Sequence, residues 1–254
     1  DLAQWKNAPP QPHVEPTPRW IRVRAGQIEI ANSRRALLLV RYGPGGLPTY
    51  CLPAEDVRTD LFHPSGPRDG FVVSHDVRAG DVTVDAAAQL FHDPPEPLAV
   101  LDGHWTFTWD AGVSWFEEAE EVHVHARDPN KRVDAIPSER HVVVEVDGEI
   151  IADSRRPHAL FETSLPTRWY LPLEDVRRQF LVPSETTSRC PYKGTASYWS
   201  VRVGDNVHPD MAWFYPDPIP ENPRIAGLVA FFNERVNLVI DGVPQDRPRS
   251  PWST

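Results

Sequence analysis

Short apolar runs, each stopped by a turn residue, recur along the chain. His141-Val-Val-Val-Glu-Val-Asp147 meets Gly148, and Glu149-Ile-Ile-Ala152 resumes the run, which predicts a hairpin of two strands. Trp20-Ile-Arg-Val-Arg24, Ala25-Gly26 and Gln27-Ile-Glu-Ile30 repeat that plan with cleaner alternation of apolar and polar positions. Two further strand-to-turn units follow: Ser197 to Val203 before Gly204-Asp205, and Val236 to Ile240 before Asp241-Gly242. Asp-Gly is a strong hairpin pair. Helical patterning is scarce. Pro172-Leu-Glu-Asp-Val-Arg-Arg-Gln-Phe-Leu181 has a proline and acids where a helix start prefers them, and Pro53 to Phe62 is its counterpart, so each predicts one short helix. Interleaved strand and helix units are absent, which argues against a Rossmann-type nucleotide fold.

These elements occur twice. Ile30-Ala-Asn-Ser-Arg-Arg35 returns as Ile151-Ala-Asp-Ser-Arg-Arg156, and Leu47-Pro-Thr49 as Leu165-Pro-Thr167. Leu52-Pro-Ala-Glu-Asp-Val-Arg58 returns as Leu171-Pro-Leu-Glu-Asp-Val-Arg177, Pro64-Ser65 as Pro183-Ser184, and Val77-Arg-Ala-Gly-Asp81 as Val201-Arg-Val-Gly-Asp205. Ordered matches with a small drift in offset mark a tandem duplication. The expected fold is mainly β: two tandem small antiparallel β-domains, each with one short helix. The expected boundaries are a disordered, proline-rich arm over 1–18, a first repeat over 19–120, a linker over 121–136, a second repeat over 137–245 and a tail over 246–254.

Composition narrows the function classes. Of 26 basic residues only Lys6, Lys131 and Lys193 are lysines, and 36 acids bring the formal charge to −10. That balance argues against nucleic acid as a partner, since such binding rests on basic residues displacing phosphate counterions. No apolar run approaches the ~20 residues of a membrane-spanning helix, so no membrane partner is expected. The stretch to Arg19 lacks the basic-then-apolar pattern of a signal peptide. Cys51 and Cys190 are far apart and too few for a disulfide framework or a structural zinc site, so free thiols and a cytoplasmic location are expected.

The second copy contains Ser154-Arg-Arg-Pro157, Glu162-Thr-Ser-Leu-Pro-Thr-Arg-Trp-Tyr-Leu-Pro172, Glu174-Asp-Val176 and Arg189-Cys-Pro-Tyr-Lys-Gly-Thr-Ala-Ser-Tyr-Trp-Ser200. Trp213 to Pro218 and Ile225 to Glu234 complete a set that resembles the domain of unknown function 427 family, with the first copy a degenerate version. The resemblance implies a β-tent-like fold, a small curled antiparallel sheet that often carries zinc. The family has also carried a nucleotidyltransferase label. That chemistry needs a Gly-Ser turn followed by paired carboxylates holding Mg²⁺. Gly194-Thr-Ala-Ser197 has the wrong spacing, and no Gly-Ser precedes Glu145 and Asp147, so no transferase is expected. For zinc the Cys-x-x-Cys pairs are missing; His123 and His125, two apart and on one face if strand, with His104 or His141, are a weak alternative metal set. No cofactor is expected.

A duplicated fold needs its core twice but its chemistry once, so differences between the copies point to a site. Glu162 aligns with Arg41, Arg168 lies in a one-residue insertion, Tyr170 aligns with Cys51, and Cys190 to Gly194 has no counterpart. The expected site is therefore in the second copy. Arg168 and Lys193 would hold a small anionic metabolite, and Glu162 would orient Arg168 or act as a base. Cys190, between Arg189 and Lys193, is the candidate nucleophile, with Lys193 as a deprotonatable amine. Tyr170, Tyr192, Trp199, Trp213 and Tyr215 would wall the pocket. The rival expectation is a non-catalytic interaction or structural module, and the weakest is a metal-dependent enzyme; the sequence leaves open whether the chain is an enzyme and how it oligomerises.

Overall fold

The computed structural model describes residues 12–42, 46–66, 68–109 and 112–250. The chain divides between Asp128 and Pro129 into two compact units.

The first unit contains eleven strands among its described residues: β1 (His13–Pro16), β2 (Ile21–Ala25), β3 (Ile28–Ser33), β4 (Leu37–Val40), β5 (Thr49–Pro53), β6 (Phe62–Pro64), β7 (Val72–Ala79), β8 (Val82–Phe91), β9 (His104–Phe107), β10 (Val113–Glu117) and β11 (Glu120–Val122). They form an antiparallel sheet in the order β1-β4-β5-β9-β8-β7-β6 and a smaller one in the order β11-β10-β2-β3. The second unit repeats this with β12 (Val133–Pro137), β13 (Val142–Val146), β14 (Glu149–Ser154), β15 (His158–Glu162), β16 (Arg168–Leu171), β17 (Leu181–Cys190), β18 (Gly194–Val203), β19 (Asn206–Phe214), β20 (Val229–Phe231), β21 (Asn237–Ile240) and β22 (Val243–Pro244). Its sheets run β12-β15-β16-β20-β19-β18-β17 and β14-β13-β21-β22, the same order position for position. Even the irregularities recur: register shifts fall at Val23/Arg24 and Val144/Glu145, and again at His75/Val77 and Trp199/Val201. The chain is mainly β, as the alternation and turn pairs predict.

Side chains alternate across a strand, so each large sheet has two apolar faces to cover. In the second unit the inner face packs against the small sheet: Trp169, Leu171, Val201, Ala212, Val229 and Phe231 join Val142, Val144 and Ile240. The outer face carries a separate aromatic cluster, with Tyr170, Trp213, Tyr215, Leu160 and Ala230 at its centre. In the first unit the inner cluster includes Leu38, Tyr50, Leu52, Trp105 and Trp115, and the outer one Leu39, Cys51, Phe91 and Leu101.

Four expectations change. The arm expected to be disordered over 1–18 forms β1 from His13, paired with β4, while residues before 12 lie outside the described ones. The stretch 121–136 is not bare connector: β11 closes the first small sheet and β12 opens the second large one, pairing with β15. Both β1 and β12 are edge strands ending in proline, a position where the missing N–H costs no ladder bond. The start of the tail is ordered, with Arg247 donating to Asn237 at 3.0 Å and Ser250 to Glu234; residues 251–254 lie outside the described ones. Each expected helix is instead two single 3-10 turns, Leu173–Asp175 with Arg178–Phe180 and Ala54–Asp56 with Thr59–Leu61. The cause is capture by the neighbouring strand. Val176 bridges to Ala152 and Arg177 donates to the Ile151 carbonyl at 2.8 Å; Val57 and Arg58 do the same with Ala31 and Ile30. Two sheet bonds outweigh the weak propensity of one short turn.

Candidate functional site

The outer face of the second unit brings several expected residues together. β15 ends at Glu162, whose side chain is on the same face as Leu160. The β17–β18 hairpin turns at 191–193, closed by a Lys193 N–H bond to the Cys190 carbonyl at 3.3 Å, and delivers Lys193 to Glu162, to which its ammonium donates. Gly194 follows at φ +105° against residues 217–219: a Cβ there would lie 3.3 Å from the Asp217 carbonyl oxygen and the Ile219 nitrogen. Asn222 Nδ2 fastens the Tyr192 carbonyl at 3.0 Å. The hairpin is thus held in place by the close approach at Gly194, the Asn222 side chain and the Lys193–Glu162 pair.

Lys131 completes the group, its Nζ 3.4 Å from the other Glu162 oxygen and 5.8 Å from the Tyr192 ring centre. All three charged side chains are largely buried. Burial alone would raise the Glu162 carboxyl, but the Lys193 and Lys131 ammonium groups hold it below the usual carboxylate range. Burial likewise works against the Lys193 charge, yet the fields of Cys190, Glu162 and Tyr170 keep its ammonium above the ordinary lysine range. Lys193 is therefore a fixed cation and hydrogen-bond donor at neutral pH, not the free amine expected of it. Burial pushes the Tyr170 hydroxyl up to about 12, against the pull of Lys193, and raises Tyr215 as well, where Tyr170 and Cys190 add to the effect. The Trp213 indole donates to the Tyr170 hydroxyl at 2.9 Å, with the two rings edge to face. Cys190 is a free, half-buried thiol opposite Gly194 at the hairpin end.

Two expected members are placed differently. Arg168 sits on the same sheet face, over the rings of Trp213 and Phe232, but its carboxylate partner is Glu234 rather than Glu162. Both terminal guanidinium nitrogens donate to Glu234 at 2.7 Å, with the pair buried. Trp199 points to the other face, where it stacks on Phe214 at 5.8 Å within the inner core. Trp213 and Tyr215 lie in the outer aromatic cluster, and Tyr192 lies beside Lys131 at the hairpin turn. Glu234 and Lys131 were missed. Glu234 is 66 residues from its partner, and only the fold joins them. The lysine scarcity that singles out Lys193 singles out Lys131 equally, and that signal was there to be read.

The histidine pair does not share a strand face. Val124 between them adopts φ +74°, and the His125 N–H bonds to the His123 carbonyl at 2.9 Å, so the chain turns sharply there. His125 is buried with Nδ1 2.7 Å from the Ala126 carbonyl oxygen, while His123 faces Glu121. Among the described residues no three His, Cys, Asp or Glu side chains gather as a metal ion requires. None of the helices among the described residues is long and apolar enough to cross a membrane.

The repeated sheet order and the residues on it now meet the comparison with known families. A family described as domain of unknown function (DUF427) matches residues 13–118 and again 134–242. The chain belongs to this family. The two DUF427 segments begin at the first residue of β1 and the second residue of β12. No curated protein matches the chain.

Proposed function

We propose that the second DUF427 unit binds a small anionic metabolite at the Lys193–Glu162 pair. The reading is carried by one observation: a buried ammonium, kept charged, is gathered with a carboxylate, two buried tyrosines and a half-buried thiol on the face where the two copies differ most. Lys193 acts as the fixed positive charge, Glu162 holds it in place, and Tyr170, Tyr192, Trp213 and Tyr215 form the surrounding wall. Arg168 enters through Glu234, bracing β16 against the Asn233–Glu234 turn beyond β20 rather than touching the anion. Cys190 is the group available for covalent chemistry, which would make the unit an enzyme. A β-tent description suits each curled pair of sheets.

A second reading rests on burial: with Lys193 only 8% exposed, the ion cluster can serve as a clasp that closes the hairpin. A thermal-shift screen of anionic metabolites against the wild type and Lys193→Met separates the two. Metabolite binding requires a compound that raises the wild-type midpoint and leaves the variant unmoved. A variant that is simply less stable, with no compound distinguishing the proteins, establishes the clasp. Labelling of Cys190 no faster than a peptide thiol at pH 7 removes the covalent role.

A further inference from the structure

The same outer sheet face in the first unit is built differently. There the strand order puts Gln89 where the second unit has Trp213, and Thr106 where it has Ala230, each pair occupying the same register with its neighbours. Arg41 occupies the position of Glu162. Replacing the indole by a smaller amide opens space, and the added threonine hydroxyl lines it with a polar atom. The result is a cavity of about 460 Å³, lined among others by Arg41, Thr49, Gln89, Thr106, Thr108 and Trp109. That volume lies within the range of small-ligand sites, roughly 300–1,000 Å³.

Its hydrogen bonding is unfinished, and donors are prominent among the groups left over. The Trp109 indole donates to Thr49 Oγ1 at 3.1 Å, and the Thr49 and Thr106 hydroxyls share one hydrogen bond at 2.9 Å. Whichever hydroxyl donates in that pair, one O–H hydrogen is left over. The Thr108 hydroxyl and the Arg41 Nε are both buried and have no hydrogen-bond partner among the described residues. A buried donor left unmade is costly, and more so on a charged group. Gly46 lets the Arg41 stem lie close against the chain, since a Cβ there would come within 3.0 Å of its Cδ. Among the described residues the cavity thus offers one planar cation and several spare hydrogens, and no acidic side chain. Leu47, Phe107 and Val124 add apolar walls.

We propose that the first unit is a second, independent binding site, and that its ligand is a small organic monocarboxylate. A single guanidinium balances one negative charge and matches a carboxylate in two-point geometry. The threonine hydroxyls donate to the carboxylate oxygens, and the apolar walls take the hydrocarbon body. An inorganic oxyanion would use the donors and leave those walls idle. The proposal does not rest on the Lys193 cluster.

Benzoate is the probe, titrated into the full chain by calorimetry and followed by the indole N–H resonances, with Trp109→Phe assigning one of them. The expected result is saturable binding of one benzoate, a shift of the Trp109 resonance, and none of the Trp213 resonance. Arg41→Gln should weaken binding by about tenfold or more, because a hydrogen bond to a charged group is lost. Thr108→Val, which keeps the shape, should weaken it about several-fold. Absence of saturable binding up to about 10 mM, a millimolar site being among the weakest measurable, overturns the proposal. So does phosphate or benzamide binding as tightly as benzoate, or unchanged affinity in Arg41→Gln. A shift of Trp213 in place of Trp109 puts the ligand in the second unit, overturning this inference while supporting the Lys193 site.

Discussion

Replacing Glu234 by leucine leaves the Arg168 guanidinium inside the second unit without its carboxylate. The two side chains are 7% and 1% exposed and joined by two bonds of 2.7 Å, so solvent screening takes little from the interaction. Breaking such a pair from one side costs about 3–5 kcal/mol, because an uncompensated charge stays buried. At roughly 4 °C per kcal/mol for a unit of this size, the midpoint of the second unit should fall by about 12–20 °C. The double variant Arg168→Met/Glu234→Leu should recover most of the loss, since a matched apolar pair removes the stranded charge. Acid gives an independent check. Burial works to raise the Glu234 carboxyl, but bonds from Arg168 and Ser250 hold it below its ordinary value. A depressed folded value means the pair stabilises fully above the unfolded carboxylate range, near pH 4.3, and loses that contribution as pH falls through the folded value. The gap between wild type and Glu234→Leu should therefore narrow below about pH 4. Urea unfolding, with hydrogen exchange read separately over each unit, measures both effects. A loss under about 1 kcal/mol, or a gap that acid leaves unchanged, refutes the buried-pair reasoning.

Gly194→Ala should destabilise the second unit by more than about 1 kcal/mol, because φ +105° and two backbone atoms at 3.3 Å both oppose a Cβ; equal urea midpoints would contradict this. Burial pushes the Cys51 thiol up to about 12 despite the nearby Arg41, and its side chain is fully enclosed, so a thiol reagent at pH 8 should label Cys190 alone until the fold opens. Two thiols reacting together in the native protein would show that Cys51 is not packed as described. In the first unit Glu117 is buried and accepts from the Tyr50 hydroxyl at 2.6 Å and from the Arg127 N–H at 3.1 Å. Tyr50→Phe should cost about 1–3 kcal/mol by leaving that carboxylate short of a donor, and denaturant unfolding with no change in midpoint would count against it.

Legibility in the sequence followed the range of the cause. Turn chemistry is local, so Asp-Gly and the recurring Leu-Pro-Thr and Glu-Asp-Val-Arg segments disclosed the duplication and the β architecture. The edge strands β1 and β12 escaped because they are short, end in proline and owe their extension to β4 and β15. The split helices escaped for the same reason, Val57 and Val176 being claimed by β3 and β14. At the candidate site, the contrast between copies led to Lys193, Glu162 and Tyr170. It could not show that Arg168 belongs to Glu234, nor that Trp199 and Trp213, one register apart on neighbouring strands, face opposite ways. Parity on a bulged strand cannot be counted from sequence: Trp199, Val201 and Val203 keep one face of β18, but the two steps from Trp199 to Val201 span four on β19, from Ala212 to His208, with Asp210 at φ +49°.

The matching strand order has a consequence for how such a chain can diversify. Inner faces in both units answer to a partner sheet and must keep their shape together. Outer faces answer to no such constraint, and one copy has filled its surface with rings and an ion cluster while the other has hollowed it out. The molecule is in effect two settings of one mould, the strand order held constant while the outer surface is recast.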